Sequence, residues 1–453
     1  MSSDVSPRSE SHFDRPSDSP PDNCLSETRA PPPATEEDPA QREEWSSSGY
    51  PLPPTTEKPA DGPVEPNPER DEPVAQPLSP RVTYLYTLSY LVFFSFFGTL
   101  ARIGLQALTF YPGAPMVTGV LWANVGGSLL MGFFLEDKNL FREEWGEPSK
   151  KPDDRDNNNY SGTSTPDEAY EESKRHKSVK KTIPLYIGLT TGFCGSFTSF
   201  SSFIRDIFLA LANDLPNPSS STISHRNGGY SFMALVAVIL IEVSLSMGAL
   251  IVGAHLALAL DRFTPSFPFR FTRRFLDPLI VLLSWGCWLG AVFLAIWPPD
   301  RHDPGPETWR GRAIFALVFA PLGCLLRFYL SLALNARIPV FPLGTFTVNI
   351  FGTMVLAMCY DLQHVHGIGA SWGPASLAAP SILTSCQVLQ GVMDGFCGTA
   401  TTVSTWVAEL NGLSHRRHAY IYGVLSVAVA LGFFVIIAGS LKWTIGFVTP
   451  VCT

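Results

Sequence analysis

Two phrases of the chain combine residue types that could handle ions inside a membrane. They are GFCGSFTSFSSF, residues 192–203, and GFCGTATTVSTW, residues 395–406. Each lies in a long apolar stretch. Two glycines weaken a helix where lipid demands one. Non-helical backbone at membrane depth is tolerated only when buried in protein or lining a cavity. Carbonyls exposed by two such breaks suit a small hard cation. Thr198 and Ser201, and Phe197, Phe200 and Phe203, recur every three residues and so form neighbouring helical strips. A phenyl ring has a positive edge, which can touch an anion without binding it tightly. Hydroxyls and amide N–H groups can replace the water an anion sheds. The bland alternatives are a packing kink and phenylalanines turned to lipid or to a neighbouring helix.

Other polar residues stand alone in apolar helices. Asn124 and Asn349 are single amides, able to donate to an anion or to bond a neighbouring helix. Arg102 and Arg327 lie near helix ends, where a charge snorkels or pairs in a structural role, or gathers anions at a vestibule. Asp206 and Glu409 each follow the Phe203/Trp406 position by three residues, at a pore mouth or a helix end. Glu242 is an intramembrane carboxylate and a functional candidate for that reason. Ser201 and Ser404 occupy the same place in the two phrases, and Thr345 precedes Asn349 by one turn. The sequence has no nucleophile with a base in register, no HExxH and no phosphate-binding glycine loop, so an enzyme is not expected. His364 and His366 read as loop-tip residues and not as a metal site.

These residues must be positioned by membrane-spanning helices. The 453 residues are 45% hydrophobic and 16% charged, well below the roughly 25% charge of soluble domains. Residues 1–80 hold 17 Asp/Glu and 6 Lys/Arg, so they carry −11 of the net −8 and leave the rest about +3. This acidic, Pro- and Ser-rich tail reads as disordered, and no basic nucleic-acid footprint exists. The eight cysteines form no C-x-x-C pair, so neither a disulfide framework nor zinc is expected. Spans are expected near 82–110, 116–135, 183–211, 231–260, 277–297, 312–336, 342–361, 381–410 and 418–448. Lys/Arg asymmetry across the loops places the N-terminus in the cytoplasm and the C-terminus outside.

The spans repeat. Gly98 and Arg102 (GTLAR) match Gly323 and Arg327 (GCLLR), and Asn124 matches Asn349, all at an offset of 225. The two Gly-Phe-Cys-Gly phrases match at an offset of 203. Spans 1–4 therefore recur as spans 6–9, and the unpaired fifth turns the second copy upside down. The expected fold is an all-α polytopic membrane protein of nine transmembrane helices, two inverted four-helix repeats joined by a linker helix. The divisions are a tail (1–80), a first repeat (81–260, with a charged cytoplasmic loop at 136–182), a linker with helix 5 (261–311) and a second repeat (312–453).

GTLAR/GCLLR, GTFTVNIFG and the two GFCG phrases together resemble the fluoride channels, and specifically the fungal fluoride exporters. Bacterial members resemble one repeat each and pair as antiparallel dimers. The resemblance implies a structural sodium ion held by the backbone carbonyls of Gly195, Thr198, Gly398 and Thr401, with no other cofactor. It implies pore amides at Asn124 and Asn349 and pore phenylalanines at Phe200 and Phe203. The second copy departs from the pattern with Val403 and Trp406, and the first with Val120 where Thr345 stands in the second. One conducting path and one vestigial path are expected, with Trp406 given a packing role only.

The function implied is passive fluoride export across the plasma membrane by a single two-repeat chain in the lipid bilayer. The rivals are a proton-coupled small-anion transporter with Glu242 or Asp206 as carrier, and a membrane scaffold whose acidic tail recruits partners.

Overall fold

Apolar runs of about twenty residues can satisfy their backbone in lipid only as helices. In a computed structural model they form little else. The structure describes residues 79–114, 118–142, 179–216, 227–298, 313–373 and 379–452. Most of the acidic tail and of the 136–182 loop lies outside the described residues. No β-strand occurs among the described residues, apart from an isolated bridge at His366 and Ala370.

The first half comprises α1 (Pro80–Thr109), α2 (Leu121–Glu136), an interrupted pair α3 and α4, and α5 (Gly228–Ala259). α3 runs from Pro184–Ile187 through a wide π-helical turn at Gly188–Cys194 to Gly195–Phe197, and α4 is Phe200–Leu211. α6 (Phe269–Ile296) follows. The second half has α7 (Phe315–Leu334), α8 (Leu343–Gln363), the pair α9 and α10, and α11 (Arg416–Thr444). α9 runs from Pro380–Gly391 through a π-helical turn (Val392–Cys397) to Gly398–Ala400, and α10 is Ser404–Gly412. Among the described residues six helices are long and apolar enough to cross a membrane: α1, α5, α6, α7, α8 and α11. The other three expected spans correspond to α2, which has 16 residues, and to the two interrupted pairs.

The halves exchange their short helices. α2 packs along α5, and α8 along α11. α4 of the first half lies against α8 and α11 of the second, whereas α10 lies against α2 and α5. α6 bridges α1 and α7. Lipid provides no hydrophobic drive between helices, so close backbone approach must supply dispersion contacts. Gly132 and Gly253 supply it between α2 and α5. A methyl on Gly132 would meet the carbonyl of Leu250, and one on Gly253 the carbonyl of Leu129.

One expectation is corrected. Cys386 and Cys452, 66 residues apart, form a disulfide. It ties the end of the chain to α9. The same segment donates Val448 N–H to His364 O (3.3 Å) and Val451 N–H to Gly369 O (2.9 Å). Phe447 packs on His364 and Tyr360, and Lys442 pairs with Asp214. The C-terminal strap thus crosses the ends of α4, α8 and α11. No local motif announces this bond, because a fold and not a spacing brings the two sulfurs together. His364 and His366 share no metal cluster among the described residues; His366 stacks on Trp372 at 4.0 Å.

Gly132→Ala or Gly253→Ala should cost about 1–3 kcal/mol by forcing α2 from α5. Gly248→Ala, with nothing within 4 Å, should be silent. Thermal unfolding in detergent checks this, and equal midpoints for all three would refute it.

Candidate ion pathway and central break

Extended backbone at Thr198 (φ −92°, ψ 155°) and Thr401 (φ −95°, ψ 148°) ends α3 and α9. A helix that starts in the membrane has free N–H groups and no water to take them. Each break solves this for the other. Thr198 Oγ1 accepts the amides of Val403 and Ser404, both at 3.1 Å. Thr401 Oγ1 accepts the amide of Ser201 at 3.0 Å. Ser404 Oγ donates to Cys194 O (3.1 Å) and Ser201 Oγ lies 3.4 Å from Cys397 O. The hydroxyls of Thr198 and Thr401 are therefore caps exchanged between the halves.

The breaks also release carbonyls. Ser199 N–H would close a helical turn on the carbonyl of Gly195, but it donates to Asn124 Oδ1 (2.8 Å). Ser202 N–H, four residues past Thr198, donates to Ser199 Oγ (3.2 Å). Thr402 N–H, four past Gly398, donates to Asn349 Oδ1 (2.9 Å). Thr405 N–H, four past Thr401, faces Thr402 Oγ1 (3.4 Å). The carbonyls of Gly195, Thr198, Gly398 and Thr401 thus lose the donors an unbroken helix would give them.

Arg102 and Arg327 are not at a mouth. Each is 1% exposed. Arg327 lies over Gly195 of the other half, and Arg102 over Gly398, so neither glycine could carry a side chain. Arg327 donates to Thr399 O (3.0 Å) and Thr191 O, and Arg102 to Asp394 O. The sequence placed them at vestibules because they sit near the polar ends of apolar runs. The helices extend past those ends, and the π-helical turns present carbonyls that bind a guanidinium.

The two amides have different fates. Asn124 and Asn349 are both fully buried, and each holds the residue after its break in the same way. Asn349 Nδ2 donates only to Thr402 O (3.2 Å). Asn124 Nδ2 approaches Ser199 O at 3.5 Å and bonds the Glu242 carboxylate from α5. In α11 the aligned residue is Ser426, whose hydroxyl donates to Tyr422 O (2.7 Å). One amide is thus already bonded to a buried carboxyl group, and the other is not.

A second carboxyl group gathers polar side chains between α8, α10 and α11. Glu409 accepts from Thr345 Oγ1 (2.6 Å), Tyr422 OH (2.6 Å) and Asn335 Nδ2 (3.3 Å). Asn335 Oδ1 in turn accepts the amide of Thr345 (3.1 Å). The sequence reading missed Asn335 and Tyr422; each is a lone polar group at an apolar helix end. Asp206, the partner of Glu409 by register, meets Arg205 (3.2 Å) through Oδ1 and the backbone of Val120. Val120 replaces threonine there.

The aromatic residues also gather unequally. Phe200 is buried with Phe203 edge-on at 5.8 Å and Trp406 at 5.3 Å. Trp406 also reaches Gly423 of α11. Phe197 lies apart, beside Phe193 at 5.6 Å. The aromatic cluster is therefore built from both halves, and Trp406 belongs to it.

The cap exchange makes a graded prediction. Thr198→Val strands two amides and Thr401→Val strands one, each costing about 1–3 kcal/mol. The first should lower the thermal midpoint about twice as far as the second. Equal shifts would mean that the hydroxyls are not the caps.

Comparison with known proteins agrees with this architecture. The family model described as CrcB-like protein, Camphor Resistance (CrcB), matches residues 89–254 and 314–440. Fluoride export protein 1 of Neurospora crassa is 55% identical over 380 residues, which cover 82% of this chain and 69% of that one. Its namesake in Candida albicans is 33% identical, covering 80% and 82%. The fluoride-specific ion channel FluC of Pseudomonas paraeruginosa is 31% identical over 143 residues, 30% of this chain and 98% of its own. No solved structure matches. A whole bacterial chain thus aligns with less than a third of this protein, and on the two-part match to the family model the chain belongs to the CrcB-like family.

Proposed function

We propose that the protein is a fluoride channel that exports cytosolic fluoride passively across the plasma membrane, through one path between α4, α8, α10 and α11. The names of its relatives give the substrate. The observation that carries the choice of path is the unequal state of the two amides. Asn349 makes only backbone bonds and so keeps an N–H for an anion. Asn124 gives its N–H to Glu242, which fills the place of an anion. The Glu409 cluster at the entrance and the Phe200–Trp406 contact lie on the Asn349 side as well.

In this reading fluoride enters past Thr345, Asn335 and Tyr422, whose hydrogen-bonding groups Glu409 holds in place. Those groups and Asn349 replace water as it leaves the ion, and the Phe200 edge carries it onward. A negative interior drives a monovalent anion outward by about 2.3 kcal/mol per 100 mV. No bound nucleotide or proton cycle is required. The two halves would be inverted repeats, with α6 as the inverting crossing and nine crossings in all. The N-terminus would be cytoplasmic. The Cys386–Cys452 disulfide favours an outside C-terminus, because disulfides persist in oxidising surroundings.

The four carbonyls that the breaks release would hold a sodium ion. It would neutralise their converging dipoles and lock α3 to α9. Gly195, Thr198, Gly398 and Thr401 contribute them symmetrically. The buried charges of Arg102 and Arg327 oppose a cation here, so the ion's binding rests on all four oxygens together.

Fluoride-electrode measurements on proteoliposomes test the path. Asn349→Asp places an acceptor-only charge among the donors and should abolish efflux. Asn124→Asp should only weaken it. Equal, mild losses would sink the single-path reading. Replacing sodium by N-methyl-glucamine should lower both the melting temperature and the efflux, by linkage; indifference of both would exclude the ion site.

A further inference from the structure

Trp406 is 1% exposed, and its indole Nε1–H has no hydrogen-bond partner. Leaving a buried donor unpaired is unfavourable. A phenylalanine would fill similar space without that penalty. The sequence reading gave Trp406 a packing role, which leaves the cost of the N–H unexplained.

Its position supplies a reason. The ring stands 5.3 Å from Phe200 at an interplanar angle of 67°. It also touches α11 at Gly423. Three residues further along α10, Glu409 gathers Thr345 and Tyr422. Trp406 therefore lies between that entrance and the central break, where α4, α10 and α11 meet. An ion there has shed most of its water. An indole N–H is a donor and never an acceptor, so it bonds an anion and offers nothing to a cation. Hydrogen bonds to an ion are also roughly twice as strong as neutral ones.

We propose that Trp406 Nε1–H donates directly to the fluoride ion in transit, making Trp406 an ion-binding residue of the path. This rests on the channel reading above and adds a donor to it. Phe200 presents a ring edge to the same ion. The pair thus combines a weak contact, which lets the ion leave, with one directional bond that selects a small anion with high charge density.

The test removes the N–H and keeps the ring. Benzothienylalanine has the shape of tryptophan with sulfur in place of N–H. It is placed at position 406 in the full chain, with Trp406→Phe as a second variant. Efflux from proteoliposomes is measured against fluoride concentration, beside thermal unfolding. The expected result is a rise of about tenfold in the half-saturating fluoride concentration, the scale of one lost hydrogen bond to an ion. The melting temperature should hold or rise, since no buried donor is then left unpaired. An unchanged concentration dependence in both variants overturns the proposal and leaves the N–H to a trapped water. If instead the parent chain moves no fluoride, or Asn349→Asp conducts normally, the channel reading fails.

Discussion

The exchange of caps between Thr198 and Thr401 is the constraint on which the rest depends. A helix broken in mid-membrane exposes N–H groups that neither water nor lipid can satisfy. Here each break lends its hydroxyl to the first turn of the other half's helix. Neither half can complete its own α4 or α10. The breaks therefore fix the spacing and the orientation of the halves more strictly than apolar packing would, because packing between helices in lipid is only weakly directional.

From that junction the remaining features follow in order. The π-helical turns before each break turn carbonyls aside, and Arg102 and Arg327 each take one from the opposite half, Asp394 O and Thr191 O. Those guanidiniums need bare glycines beneath them, which explains Gly195 and Gly398 as space before any question of backbone freedom arises. Asn124 and Asn349 then bind the residue after each break.

The two sides of this frame have diverged. On one, a threonine, a tyrosine and an asparagine are held around Glu409. On the other, valine replaces threonine and Glu242 occupies the amide. Once the halves are fused in one chain, nothing keeps their side chains identical. The caps are needed twice, because each serves the other half. The ion-facing groups are needed only where ions pass.

Much of this was legible in the sequence. Apolar runs of bilayer length admit only helices, and constant offsets between repeated motifs fix which helices correspond. The doubled Gly-Phe-Cys-Gly phrase marked both breaks, because glycine and clustered hydroxyls have little other use at that depth. What could not be read was partnership across space. Sequence register aligned Asp206 with Glu409, yet one meets an arginine and the other a tyrosine and a threonine from different helices. It placed Arg102 and Arg327 near helix ends, whereas tertiary contact buries them on the opposite half's glycines. It set Trp406 apart from Phe200, and the crossing of α4 and α10 brings their rings together. It gave no sign of the Cys386–Cys452 bond. Periodicity and motif depend on distance along the chain, which a sequence records. Pairing depends on which helices exchange sides, and only the folded chain decides that.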